Sequence, residues 1–83
     1  MKKFEVGKRY AIEKLGYKSS TEAIEVSKRG KSFITFHRVF NGVRFAAETE
    51  RAKIRGNLNE YLIIFGGIVS DSVRATDCIS AEQ

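Results

Sequence analysis

Several residue types that usually mark a structural class are absent or scarce in this 83-residue chain. It contains no proline, no tryptophan and one cysteine, Cys78. A single cysteine excludes an internal disulfide framework and a cysteine-rich zinc site, and it is typical of a protein from a reducing cytoplasm. The longest apolar run, 61–65, is far shorter than the ~20 residues of a membrane span, and no apolar stretch follows the N-terminal charges as in a secretory signal. The sequence therefore predicts a cytoplasmic protein with no membrane partner.

The composition is that of a folded chain. Hydrophobic residues make up 42% and charged residues 30%, with six phenylalanines and three tyrosines. Such a chain buries enough apolar surface to fold, and its length allows one small domain. We expect this domain to span residues 1–77, with residues 78–83 forming a frayed tail.

The charge is unevenly distributed along the chain. Residues 1–55 hold fourteen basic and six acidic side chains, whereas residues 56–83 hold one basic and four acidic ones. A basic body suggests an anionic partner. The alternative is that a net charge of +5 merely keeps a small protein soluble.

The clearest local signal is Asn41-Gly42 between two apolar runs. Both residues tolerate the positive φ of a type I′ turn, so the pair predicts a two-residue β-hairpin. The hairpin register then follows in steps of two. The predicted opposite pairs are Phe40 with Val43, Arg38 with Phe45, Phe36 with Ala47, and Ile34 with Thr49. The predicted core face carries Ile34, Phe36, Phe40, Val43, Phe45 and Ala47, with Arg38 between them.

Further strands are predicted on both sides of this hairpin. Residues 4–12 alternate between apolar and polar, and residues 23–27 lead through a basic turn into the central strand. The continuous apolar run 61–65 predicts a strand buried on both faces, and 72–76 predicts a short closing strand. Five to six short antiparallel strands without a long helix indicate an all-β or mainly β fold. We expect a small Src-homology-like or OB-like barrel or roll, because closure removes exposed edges.

Three segments of the chain resemble a family of small uncharacterised proteins. The start Phe4-Glu5-Val6-Gly7-Lys8-x-Tyr10, the basic segment 26–34 and the segment 60–64 are similar to proteins of gut Firmicutes that are often carried on phages and conjugative elements. The resemblance implies an accessory protein of a mobile element in a bacterial cytoplasm. It implies no activity that can be assigned to a residue.

The residues that catalysis requires are few. A nucleophilic pair of Cys78 with His37, the only histidine, requires the C-terminal segment to fold against the central hairpin. Glu48 and Glu50 share one face of a strand, but they lack further ligands for a metal, and surface ion pairs explain them equally well. No glycine-rich phosphate loop is present. We therefore expect a protein that is not an enzyme and uses no cofactor or metal.

Binding to nucleic acid is the function that the sequence favours. The turn at 28–31 places three cations at one hairpin tip, a shape suited to phosphates. Further arginines lie on the adjoining strands, and Phe33 offers a ring for an unstacked base. Solvated turn lysines and a core role for Phe33 would explain the same residues. The predicted nucleic-acid-binding residues are Lys28, Arg29, Lys31, Phe33, Arg38 and Arg44.

The alternative is a protein-binding module that inhibits a host defence or another host protein, in the manner of an anti-CRISPR protein. Such a module needs a rigid surface with a few anchors rather than catalytic groups. The run 61–65 would supply the contact if it lay at a sheet edge, where apolar strands pair with other chains or form homodimers.

Overall fold

The computed structural model describes residues 1–79, and in them the chain is all β, which confirms the predicted fold class. No helix in this part of the chain has the length and apolar character needed to cross a membrane. The strands are β1 (Arg9–Lys14), β2 (Tyr17–Arg29), β3 (Phe33–Phe40), β4 (Val43–Arg44), β5 (Glu50–Lys53), β6 (Tyr61–Gly66) and β7 (Val69–Cys78).

These strands form one antiparallel sheet that curls into a half-barrel. The order across the sheet is β4-β3-β2-β1-β7-β6, and β5 also pairs with β3. The curl brings β5 close to β6, and a single bridge between Arg55 and Tyr61 joins them. Both backbone N–H···O distances of this bridge are 3.0 Å. Beyond the bridge the two strand edges do not pair, so the barrel stays open along one side.

The core lies on the concave face of the curl. Strands β1, β2 and β3 each contribute alternate apolar side chains to it, as predicted for Ile24 and Val26 with Ile34 and Phe36. Alternation places these side chains on one face because the side-chain period of a strand is two residues. The core cluster comprises Phe4, Tyr10, Ile12, Ile24, Val26, Ile34, Phe36, Ala52, Leu62, Ile64, Val73 and Ala75.

The Asn41-Gly42 hairpin is present, but its predicted register holds only next to the turn. Asn41 and Gly42 have φ values of 51° and 81°, and Phe40 pairs with Val43. Further from the turn, Phe36 pairs with Glu50 and Ile34 with Ala52, whereas the prediction placed Ala47 and Thr49 there. The Phe45 N–H still donates to the Arg38 carbonyl oxygen at 2.9 Å, as the predicted pair requires, and residues 46–49 then leave the ladder between β4 and β5. The predicted core positions Phe40, Val43, Phe45 and Ala47 are all exposed, while Val39 is buried.

Two side chains of β3 explain this change of register. The Nδ1 atom of His37 lies 2.8 Å from the carbonyl oxygen of Glu48 and holds the looped segment against the strand. Arg38 projects to the concave face, where its Nε donates to the Glu50 carboxylate at 2.6 Å. The observed register brings Glu50 beside Arg38, and a buried or half-buried guanidinium requires such a carboxylate.

Residues 61–65 form a strand as predicted, but the prediction that it is buried on both faces was wrong. β6 is the edge strand of the sheet, and its burial alternates: Leu62 and Ile64 are buried, whereas Ile63 and Phe65 are exposed. The predicted closing strand at 72–76 is part of the longer β7, which lies between β1 and β6. A continuous apolar run occurs both in a central strand and in an edge strand that is apolar on both faces, so the local sequence did not distinguish the two.

The two ends of the domain are fixed by contacts between distant segments. Phe4 enters the core ahead of β1, after which a turn at Gly7 (φ 88°) donates its N–H to the Val26 carbonyl oxygen at 2.8 Å. At the other end, β7 extends to Cys78, and the Ile79 N–H donates to the Arg9 carbonyl oxygen at 2.9 Å. The remainder of the predicted tail, 80–83, lies outside the described residues.

Candidate binding surfaces

Arg29, one of the predicted phosphate-binding residues, is committed to an internal ion pair. Its two terminal nitrogens donate to the two carboxylate oxygens of Glu60 at 2.7 and 2.6 Å. Nη1 also donates to the Phe4 carbonyl oxygen, and the Phe4 N–H donates to Glu60 at 2.8 Å. The hydrogen bonds from Arg29 hold the pKa of Glu60 below its ordinary value, against the effect of burial. Arg29 therefore anchors the N-terminal segment and presents no free guanidinium to a phosphate.

Arg38 and Arg44 are also paired with carboxylates. Arg38 makes two hydrogen bonds to Glu50, which raise its pKa, and a third at 2.6 Å to the carbonyl oxygen of Phe65 on β6. Arg44 lies on the opposite, convex face and donates to Glu25 at 3.1 Å. Burial acts to raise the pKa of Glu25, but its hydrogen bonds with Arg9 and Arg44 outweigh this effect and lower it. The three predicted arginines thus point to three different parts of the molecule.

Lys28 and Phe33 lie on the convex side, and the exposed Lys31 lies in the turn between their strands. Lys28 pairs with Thr35 across β2 and β3, and Thr35 pairs with Arg51 across β3 and β5, so the three residues form one row. Phe33 pairs with Lys53 in the neighbouring row. Arg51 stacks on the Phe33 ring with its Cζ 4.4 Å from the centroid, a cation–π contact.

We call Lys28, Lys31, Phe33, Arg51 and Lys53 the basic face. All five residues are exposed, and none of its four cations forms an ion pair with a carboxylate in the described residues 1–79. No acidic residue occurs in 26–47 or 51–59. Adjacent strands lie about 4.8 Å apart, so the backbones at the two ends of the Lys28–Arg51 row are separated by about 10 Å. Projected on the axis of a duplex, that distance corresponds to roughly three base-pair steps.

The sequence analysis missed a layer of charged side chains inside the half-barrel. Where the apolar core ends, the concave face carries Lys14, Glu22, Arg38, Glu50 and Asp71. Lys14 binds the buried Asp71 at 2.7 Å and Glu22 at 3.4 Å, and the hydrogen bond to Asp71 raises the pKa of Lys14. The sequence contained one signal for this charged layer: Arg38 was predicted on the core face, and a cation in that position requires carboxylate partners from other strands.

A cleft of about 770 Å³ opens above this charged layer. One wall is the looped segment 45–50 and the other is the end of β6 with its following turn. The cleft lining includes Phe45, Glu48 and the backbone of β6 at Phe65, whose carbonyl oxygen accepts a hydrogen bond from Arg38. The Glu48 carboxylate has no ion-pair partner in the described part of the chain. Glu22, Glu48 and Glu50 outnumber the two cations of the lining, Lys14 and Arg38. This excess of carboxylates makes the cleft unsuited to an anionic ligand.

The outer side of β6 is apolar and exposed. Tyr61, Ile63 and Phe65 alternate along it, and Ile68 continues them in the turn to β7. Phe65 is 76% exposed and Ile68 is 100% exposed. A cluster of exposed apolar side chains is typical of a surface that binds another molecule. We call these four residues the apolar face.

The predicted catalytic and metal candidates do not come together. His37 lies on β3 and Cys78 on β7, which are three positions apart in the sheet, so about 14 Å of backbone spacing separates them. The Glu50 carboxylate is bonded to Arg38, whereas Glu48 is exposed and lines the same cleft. Within residues 1–79, no three histidine, cysteine or acidic side chains are close enough to hold a metal ion.

Comparisons of the chain with protein-family models, with curated proteins and with solved structures found no match.

Proposed function

We propose that this domain is a non-enzymatic binding module that contacts nucleic acid through the basic face. The supporting observation is the row of Lys28 and Arg51 across three strands, with Lys31 and Lys53 beside it and no carboxylate between them. Cations without internal partners contribute counterion release when they meet phosphates, whereas neutralised arginines contribute little. The proposal therefore keeps Lys28, Lys31 and Phe33, replaces Arg29, Arg38 and Arg44 by Arg51 and Lys53, and retains the cytoplasm as the expected location.

Phe33 gives this surface a stacking group. The residue is 38% exposed, and the Arg51 guanidinium lies over its ring. An aromatic ring with a stacked guanidinium offers a flat platform for an unpaired base, which favours single-stranded over duplex ligands. We therefore expect tighter binding to single-stranded oligonucleotides than to duplexes of the same length.

The test is fluorescence anisotropy with labelled single-stranded and duplex oligonucleotides at about 50 and 200 mM salt. We expect affinity to fall steeply with salt, and the double variant K28Q/K53Q to bind at least tenfold more weakly, with a reduced salt slope. The matched control is K18Q/R74Q, which removes the same charge from exposed residues outside the basic face. Equal losses in the two double variants, or no binding by the wild type at low salt, would refute the basic face as the site.

A second proposal is binding to another protein through the apolar face, which covers both a host target and a second copy of this chain. It is supported by the edge position of β6 and by the exposure of Phe65 and Ile68. Self-association is measurable directly by sedimentation velocity over a hundredfold concentration range. We expect the wild type to associate and the F65S/I68S variant to remain monomeric; a wild type that is monomeric throughout would remove the second copy as the partner.

A further inference from the structure

On the open side of the half-barrel, two strand edges face each other and share a single bridge among residues 1–79. Tyr61 uses both its N–H and its C=O to bond Arg55 across this gap. Backbone groups of a regular strand alternate in direction, and β6 pairs with β7 without a register shift. The backbone groups of Ile63 and Phe65 therefore point into the same gap, and the 2.6 Å bond from Arg38 to the Phe65 carbonyl oxygen agrees with this direction.

The facing edge belongs to β5. The Ile54 N–H donates to Ser32, beside β3, whereas the Arg55 N–H donates to Tyr61 on the opposite side. By the same alternation, the backbone groups of Arg51 and Lys53 point towards β6. We call the gap between these edges the seam. In the described residues the seam has one bridge, at its closed end. Its open end leads to the cleft that is lined by Glu22, Glu48 and Glu50.

We propose that the seam binds an extended segment of another protein that pairs with the free edge of β6 and carries lysine or arginine at its inward-facing positions. Edge pairing explains the unpaired N–H and C=O groups of Ile63 and the N–H of Phe65, which an added strand satisfies. A backbone N–H of the incoming strand replaces Arg38 as the donor to the Phe65 carbonyl oxygen. This binding mode rests on the second proposed function, protein binding at β6, and adds the chemistry of the partner segment to it.

The two faces of the seam define the chemistry of the segment. Side chains that point inward at the open end meet Glu48 and the carboxylates of Glu22 and Glu50, so cations are complementary there. Side chains that point outward lie beside Ile63 and Phe65, where apolar groups cover exposed surface. The segment that fits therefore alternates basic and apolar residues, as a strand must when it has one charged and one apolar side.

The test uses three synthetic blocked heptapeptides and ¹⁵N-labelled protein. The first alternates lysine with valine, the second alternates glutamate with valine, and the third is the lysine peptide with its central valine replaced by proline, which removes a backbone donor. We expect the lysine peptide to shift the amide signals of Ile63 and Phe65 and to slow their hydrogen exchange. The glutamate and proline peptides should bind at least tenfold more weakly.

Variants of exposed carboxylates distinguish binding of the lysine peptide at the cleft from a general attraction between the peptide and the charges of the protein. E48Q is expected to weaken binding of the lysine peptide about two- to fivefold, the effect of one exposed ion pair. E5Q removes the same charge from an exposed carboxylate outside the cleft and should leave the affinity unchanged.

Three results would overturn the proposal: no binding of the lysine peptide at millimolar concentration, equal binding of the glutamate peptide, or Ile63 and Phe65 amides already protected in the free protein. The last result would mean that β5 and β6 close on each other. None of these outcomes affects the basic face or self-association, which the anisotropy and sedimentation experiments measure separately.

Discussion

The ion pair between Arg29 and Glu60 provides the sharpest test of what anchors the N-terminal segment of the domain. Glu60 is only 5% exposed, and it accepts hydrogen bonds from Arg29 at 2.7 and 2.6 Å and from the Phe4 N–H at 2.8 Å. We predict that Glu60→Gln lowers the free energy of unfolding by about 3 kcal/mol.

The magnitude follows from the exposure of the two partners. Removing one member of a buried ion pair costs roughly 3–5 kcal/mol, because the other charge is left without compensation. The Arg29 side chain retains 27% exposure, so water partly solvates its freed charge. Glutamine also keeps one oxygen for the Phe4 N–H. Both effects place the loss near the lower limit, which for a domain of this size corresponds to a fall in Tm of roughly 12–24 °C.

Urea unfolding at pH 7, followed by far-UV circular dichroism, measures this change by linear extrapolation. The matched control is Glu48→Gln, which removes the same charge from an exposed residue and should change stability by less than about 0.5 kcal/mol. A double-mutant cycle with Arg29→Met isolates the pair, because Glu60→Gln should cost much less once the arginine is absent. A loss below about 1 kcal/mol in the single variant, or strict additivity in the cycle, would show that the pair does not stabilise the fold.

Three further predictions concern pH, a close backbone approach and a buried hydroxyl. The pKa values of Glu60 and Glu25 are lowered in the folded protein, so their stabilisation is complete above the unfolded value near 4.5 and is lost as pH falls through the folded values. Thermal unfolding between pH 7 and 2 should therefore show an acid loss, shallower in Glu60→Gln; parallel curves would contradict this. Gly66→Ala would place a Cβ 2.5 Å from the Asp71 carboxyl carbon, so we expect a loss of about 2 kcal/mol in urea unfolding. Gly30→Ala, with its nearest contact at 3.5 Å, is the control, and equal effects would refute the argument. Tyr10→Phe removes the oxygen that accepts the Glu5 N–H at 2.8 Å, and it should cost about 1 kcal/mol in the same assay; a neutral result would mean that water replaces the bond.

The β2–β3 half of the sheet was predictable because its signals are local. Alternation of Ile24 and Val26 with Ile34 and Phe36 predicted the concave face, and the structure buries all four side chains. The type I′ turn at Asn41-Gly42 also follows from the conformational freedom of its two residues. These features depend on neighbours in the chain, so sequence reasoning reached them without knowledge of the strand order.

The β4–β5 register and the binding residues were less predictable because they depend on distant partners. The register changed so that Glu50 could meet Arg38, which no turn rule anticipates. The predicted cluster of six binding residues divided because Arg29, Arg38 and Arg44 found carboxylates on other strands. Phosphate binding is a property of cations left over after internal pairing, and internal pairing is known only when the sheet is assembled.

By itself the sequence determined an all-β chain, the inner face of its central strands, the Asn-Gly turn and the excess of positive charge in its first two thirds. The tertiary structure alone decided that β6 is an edge strand, that a charged layer closes one end of the core, and that Lys28 aligns with Arg51 on the basic face. The division has a physical reason. Backbone conformation and alternation are set by adjacent residues, whereas the neutralisation of a charge or the exposure of an apolar strand is set by whichever distant strand lies beside it.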